Sequence, residues 1–130
     1  MSEQAHGREP VSPWVRRWTH LVAAGGTVLD LACGHGRHVR WFASHGYPVV
    51  AVDRSEQALG AIADLAAATH GPRVQAVLAD LENGAWPLMQ GGAEATFAGV
   101  VVTNYLWRAL LPTIVRSVAP GGVLLYETFA

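Results

Sequence analysis

The chain has 130 residues and a formal net charge of −1, and 51% of its residues are hydrophobic. This length and composition predict one domain with a buried core and argue against a disordered or fibrous chain. The near-neutral charge argues against a nucleic-acid binder that relies on a basic surface. The single cysteine, Cys33, excludes an internal disulfide and favours a cytoplasmic location. No apolar run reaches the roughly 18 residues that would predict a membrane span.

Predicted helices and strands alternate along the chain after a polar start. Residues 1–10 are expected to be flexible, and apolar residues at helical spacing predict an amphipathic helix over 11–22. Apolar runs typical of strands covered on both faces follow at 27–31, 48–53, 73–79, 98–103 and 122–128. Helices are predicted at 35–46, 55–70 and 105–118, the last with a break at Pro112. The alternation predicts an α/β domain over 11–130, with a Rossmann-like parallel sheet flanked by helices.

The last predicted strand ends almost at Ala130. An apolar strand left as an open sheet edge invites association with other chains. We therefore expect either that the chain is part of a longer protein, or that a second copy covers this fifth-strand edge in a homodimer.

The turn after the first strand carries the strongest chemical signal. Gly34 and Gly36 allow a ligand to approach the backbone at the start of a helix. Asp30 lies shortly before them, where a carboxylate would repel the pyrophosphate of a dinucleotide but attract an ammonium group. Val39 stands where the dinucleotide fingerprint has its third glycine. This pattern favours S-adenosylmethionine (SAM), which has an ammonium and a sulfonium but no phosphate.

Two more carboxylates follow successive predicted strands. Asp53 closes the second strand, where it can accept hydrogen bonds from both ribose hydroxyls. Asp80 follows the third strand, where it can accept from an adenine amino group. Acids at the ends of three consecutive strands beside a Gly-x-Gly turn are more specific than any one of them.

These segments resemble the motifs of class I SAM-dependent methyltransferases. Residues 28–38 resemble the first motif, 49–55 the second, 78–82 the third, 100–106 the fourth and 110–125 the fifth. The Gly-His-Gly-Arg-His sequence at 34–38 is similar to the tellurite-resistance methyltransferase-like branch. The resemblance implies a strand order of 3-2-1-4-5-7-6 with an antiparallel seventh strand. The expected order here is therefore 3-2-1-4-5, with strands six and seven missing.

The resemblance also implies roles for individual residues. Asp30, Gly34 and Gly36 would hold the methionine part of SAM, Asp53 the ribose, and Asp80 with the Leu81 backbone N–H the adenine. The remaining residues expected to bind the cofactor are Ala32, Arg54 and Asn104.

The acceptor is expected to be a small molecule that reacts by in-line displacement, and no general base is predicted. Tyr105, Arg108 and Trp14 are candidates for substrate contact, although Trp14 is also explained by packing and Arg108 by solvation. Trp86 could pack near the adenine or fill the core. His35 and His38, with His45 beyond, could suggest a metal site, but the sequence offers no convincing third and fourth ligand. A SAM-binding module without catalysis and an NAD-type dehydrogenase remain alternative interpretations.

Overall fold

The structure, a computed structural model, describes residues 10–128, so all but the last residue of the predicted flexible start lies outside the described part. The strands are β1 (Val28–Leu31), β2 (Val49–Asp53), β3 (Val74–Leu78), β4 (Met89–Gln90), β5 (Ala93–Glu94), β6 (Phe97–Thr103) and β7 (Val118–Glu127). The helices are α1 (Pro13–Trp18), α2 (Arg37–Ser44), α3 (Glu56–Gly60), α4 (Ala63–Ala67) and α5 (Leu111–Arg116). Short 3-10 helices span Thr19–Leu21 and Arg108–Leu110.

Five strands form one parallel sheet in the order β3-β2-β1-β6-β7. The predicted α/β class with a parallel sheet is confirmed, but the predicted order 3-2-1-4-5 differs. The fourth and fifth strands in chain order are β4 and β5, which form a separate antiparallel hairpin. This hairpin was not predicted, because a strand of two residues is too short to show a periodic pattern. The expectation that strands six and seven are missing is not borne out. The seventh strand also runs parallel to β6, because the chain crosses over through α5 before it rejoins the sheet.

The sheet has one apolar cluster on each face, and β1 contributes residues to both clusters. Val28 belongs to the cluster that faces α1 and α2, whereas Leu29 belongs to the cluster that faces α5. All four residues of β1 are buried, as expected for a central strand with helices on both sides. The edge strand β3 departs from this expectation, since Leu78 is 58% exposed and little covers the strand's outer residues.

The long helix predicted over 55–70 is two short helices instead. Gly60, a weak helix former, ends α3, and the next carbonyl, that of Ala61, accepts a hydrogen bond from the Arg40 guanidinium (2.7 Å). Pro112 lies in the first turn of α5, where its missing N–H costs nothing. Within residues 10–128, no helix combines the length and apolar character needed to cross a membrane.

Candidate active site

The turn between β1 and α2 contains two glycines that have different structural roles. Gly34 and Gly36 both have left-handed backbones, with φ of 56° and 89°. A Cβ at Gly36 would overlap the Ile62 side chain, whereas a Cβ at Gly34 would have no heavy atom within 4 Å. Gly36 is therefore required for packing, and Gly34 leaves open space beside the backbone.

Asp53, at the end of β2, holds this turn in place. Its Oδ2 accepts a hydrogen bond from the Gly34 N–H (2.8 Å), and its Oδ1 accepts one from the Ser55 N–H (2.9 Å). Ser55 in turn caps α3, since its hydroxyl accepts from the Ala58 N–H (3.1 Å). Each carboxylate oxygen has a further lone pair with which it can accept a ligand hydroxyl.

Asp30 is fully buried beneath the turn. Neither of its carboxylate oxygens has a hydrogen-bond partner among the described residues. Burial raises the pKa of Asp30 to about 8; the negative charge of Asp53 adds to this rise, and the positive charge of Arg37 opposes it. A buried carboxyl without partners is costly, and a cation placed beside it would relieve that cost.

Two adjoining cavities open at the carboxyl ends of the strands. We call the first, of about 280 Å³, the loop cavity; it is lined by Ala32, Asp53, Arg54, Ala79, Asp80, Leu81, Glu82, Asn104, Tyr105 and Leu106. We call the second, of about 260 Å³, the turn cavity; it is lined by Ala32, Cys33, Gly34, His35, Gly36, Arg37, Thr103 and Asn104. The two cavities adjoin at Ala32 and Asn104, which have left-handed backbones with φ of 55° and 56°.

A larger groove of about 460 Å³ lies near the other ends of the strands, beside Thr27, Pro48 and Phe97. No carboxylate lines it within the described residues. Ligands of open parallel sheets bind at the carboxyl ends of the strands, so the two smaller cavities are the better candidate site.

Hydrogen bonds order the loops around the loop cavity. Asp80 accepts from the Glu82 N–H and from the Asn83 side-chain amide, both at 3.0 Å. These bonds, that of Asn83 foremost, lower the pKa of Asp80. The Tyr105 hydroxyl donates to Glu82 Oε2 (3.1 Å), and the Tyr126 hydroxyl donates to the Tyr105 carbonyl (2.7 Å). Burial, followed by the bond to Glu82, raises the pKa of Tyr105 to about 12.

The structure brings most of the predicted site residues together. One or both cavities are lined by Ala32, Gly34, Gly36, Asp53, Arg54, Asp80, Leu81, Asn104 and Tyr105. Asp30 is not among the lining residues. The sequence pattern did not single out Arg37, Glu82 or Thr103 as site residues, although all three lie within the segments that resemble the family motifs.

Two substrate candidates lie outside both cavities. Arg108 is exposed at the start of a 3-10 helix. Trp14 is 43% exposed and makes an edge-to-face contact with Trp18, 5.8 Å between ring centres. Trp86 packs against the apolar cluster on the α5 face, which favours its interpretation as core packing over adenine contact.

Cys33 is buried beneath the turn, and burial raises the pKa of its thiol well above the usual range. In residues 10–128, no three His, Cys, Asp or Glu side chains are grouped so that they could hold a metal ion.

Comparison with known proteins agrees with this architecture. Residues 28–122 match the methyltransferase domain family, and the chain belongs to that family. No match was found among curated protein sequences.

Similar solved structures are methyltransferases. An S-adenosylmethionine-dependent methyltransferase from Mesorhizobium loti is 26% identical, with a TM-score of 0.64 over 86% of this chain and 53% of its own. The glycopeptide N-methyltransferase MtfA, in complex with SAM, is also 26% identical, with a TM-score of 0.64 over 90% of this chain and 54% of its own. TehB from Haemophilus influenzae shares the fold at 20% identity, with a TM-score of 0.62 over 82% of this chain and 35% of its own. The chain thus spans about a third to a half of the length of these structures.

Proposed function

We propose that the chain binds SAM across the two cavities and transfers its methyl group to a small-molecule acceptor. The observation that carries this proposal is the position of the Asp53 carboxylate. It accepts hydrogen bonds from the Gly34 and Ser55 N–H groups and still has lone pairs that can accept from ribose hydroxyls. The adenosine part of SAM then lies in the loop cavity and the methionine part in the turn cavity. SAM supplies an electrophilic methyl group on its sulfonium. The two methyltransferases above, at 26% identity, support this cofactor.

The surrounding residues suit the separate parts of this cofactor. Asp80 accepts a hydrogen bond from the adenine, the Leu81 N–H donates one to it, and Arg54 flanks the adenine face. Gly34 leaves open space for the methionine part. The buried carboxyl of Asp30 fits the ammonium group, directly or through water, because neither of its oxygens has a hydrogen-bond partner among the described residues.

The chain's contribution to the reaction is positioning. Asn104 and Tyr105 follow β6 at the mouth of the cavities, where an acceptor meets the methyl group. In-line displacement gains most of its rate from closeness and alignment, so an acceptor that is already nucleophilic needs no base. The raised pKa of Tyr105 means that its hydroxyl is protonated at neutral pH, and in this structure it donates to Glu82 Oε2 (3.1 Å). Arg108 and Trp14 are not assigned to this site.

The same geometry disfavours an NAD-type dehydrogenase. A dinucleotide places its pyrophosphate against the backbone N–H groups of this turn. Here the carboxyl of Asp30 lies buried beneath the turn, and Val39 stands where the dinucleotide fingerprint has its third glycine. The net charge of −1, which does not favour nucleic acid, supports a small-molecule acceptor. The branch suggested by residues 34–38, the cytoplasmic location and a homodimer stay predictions.

Calorimetric titration with SAM and with NAD tests the proposal. SAM should bind the wild-type chain, and Asp53→Asn should weaken SAM binding by about tenfold or more, because a charge-assisted acceptor is lost. Asp64→Asn, the same chemical change on α4 away from both cavities, is the matched control and should bind as the wild type does.

Turnover is then measured as S-adenosylhomocysteine formation with small amine and thiol acceptors. Binding of NAD without SAM would overturn the proposal. SAM binding with no product for any acceptor would favour a module without catalysis.

A further inference from the structure

His38, the second residue of α2, is buried and has both ring nitrogens within reach of other segments. The Ser12 backbone N–H donates to Nε2 (3.2 Å), and Nδ1 faces the Thr103 hydroxyl (3.4 Å). A backbone N–H can only donate, so Nε2 carries no proton. In the neutral ring the proton is therefore on Nδ1, which donates to Thr103. Burial, with the charge of Arg37, lowers the pKa of His38 to about 4, in agreement with a neutral ring.

The partners of His38 belong to segments that are distant in the chain. Ser12 caps α1, since its hydroxyl accepts from the Val15 N–H (3.0 Å). Thr103 ends β6 and lines the turn cavity. Next to His38, Arg37 lines the same cavity and donates to the Pro10 carbonyl (3.3 Å). The start of α2 is therefore tied to residues 10–12 on one side and to the end of β6 on the other.

We propose that His38 is a positioning residue that sets the distance between the two walls of the turn cavity, the glycine turn and the end of β6. The inference rests on the proposed function, because that cavity takes the methionine part of SAM. His38 touches no ligand itself; it acts through Thr103 and the first turn of α2. A ring locked by hydrogen bonds at both nitrogens fixes a separation more narrowly than an apolar side chain of similar size.

The experiment compares ligands that differ only in the methionine part. SAM and S-adenosylhomocysteine reach the turn cavity, whereas 5′-methylthioadenosine has the adenosine without the amino acid. His38→Leu removes both hydrogen bonds, and we expect it to weaken SAM and S-adenosylhomocysteine binding about tenfold while 5′-methylthioadenosine binding changes less than about twofold. Val39→Ala, at the neighbouring buried position, lowers stability through a cavity and should not separate the ligands.

Substitutions at Thr103 test the link itself. Thr103→Val removes the acceptor for Nδ1–H and should repeat the loss seen for SAM, whereas Thr103→Ser keeps the hydroxyl and should restore binding. The double variant of His38→Leu and Thr103→Val should lose no more than either single variant, since both break one link. If His38→Leu does not fold, the inference is tested with other variants. These are His38→Asn, which keeps a donor near the Nδ1 position, and the pair Thr103→Val and Thr103→Ser.

Two outcomes would overturn the inference alone: unchanged SAM binding in the His38→Leu and Thr103→Val variants, or an equal loss for all three ligands, which would mean a purely structural role. A wild-type chain that binds neither SAM nor S-adenosylhomocysteine would overturn the proposed function, and this inference with it.

Discussion

Replacing Asp30 by Asn should stabilise the ligand-free protein at neutral and alkaline pH, even though the substitution removes a group that we propose for cofactor binding. The carboxyl is completely buried without a hydrogen-bond partner among the described residues, and its pKa is raised to about 8. Ionisation at that position costs free energy that an amide never incurs, because Asn has nearly the same shape and no charge.

The size and sign of the effect follow from proton linkage. An unfolded Asp has a pKa of about 3.9, so between about pH 4 and 8 the folded chain binds one more proton than the unfolded chain. The free energy of unfolding then falls as the pH rises, by up to about 1.4 kcal/mol per pH unit. From pH 5 to pH 7 the wild type should lose up to about 3 kcal/mol relative to Asp30→Asn. Above pH 8 the difference should be constant.

Urea unfolding of both proteins from pH 5 to pH 9 measures this difference, and other titrating groups cancel in the comparison. Asp64→Asn is the control with the opposite sign. Its hydrogen bond to Arg40 lowers the pKa of Asp64, so its stabilising effect is complete above the unfolded pKa and is lost only as the pH falls below it. The Asp64→Asn difference should therefore be flat over the measured range. A flat difference for Asp30→Asn would contradict this prediction, because it would mean that Asp30 is ionised throughout.

Three further predictions concern the turn. SAM binding below pH 8 should release up to one proton from Asp30, so the binding enthalpy should depend on the ionisation enthalpy of the buffer, and Asp30→Asn should remove that dependence. Gly34→Ala should lower the free energy of unfolding in urea by about 1 kcal/mol. The matched Gly25→Ala should cost the same, because Gly25 also has a left-handed backbone and open surroundings. Only Gly34→Ala should impair SAM binding, and equal SAM affinities of the two variants would contradict the placement of the ligand. Gly36→Ala should lower the urea midpoint further than either, because its Cβ overlaps Ile62. The cost of Gly36→Ala should be smaller when it is measured in an Ile62→Ala background; an unchanged cost would assign it to the backbone alone.

Much of the site could be predicted because its signals are local. A parallel sheet collects the carboxyl ends of its strands at one edge, so Asp53 and Asp80 fall at the same end as the glycine turn whatever the details of packing. The environment of Asp30 could not be predicted in this way. Its position in β1 was predicted, but its complete burial depends on how α1 and α2 cover that face of the sheet.

The prediction of a single helix over 55–70 failed for a related reason. Ser55 was a sound start signal, and its hydroxyl does cap α3. The end of α3 depends on Gly60 and on Arg40, a residue of another helix that bonds the Ala61 carbonyl. A partner that comes from elsewhere in the chain leaves no mark in the local pattern.

The α/β class, the position of the glycine turn and the acids at the strand ends could all be predicted from local sequence. Periodicity, turn chemistry and strand ends are properties of short segments. Three features depend on the tertiary structure. Asp53 accepts a hydrogen bond from the glycine turn, Asp30 is buried without a hydrogen-bond partner among the described residues, and His38 joins α2 to Ser12 and Thr103. Each of these depends on contacts between residues far apart in the chain, and such contacts form only when the sheet and its helices have packed together.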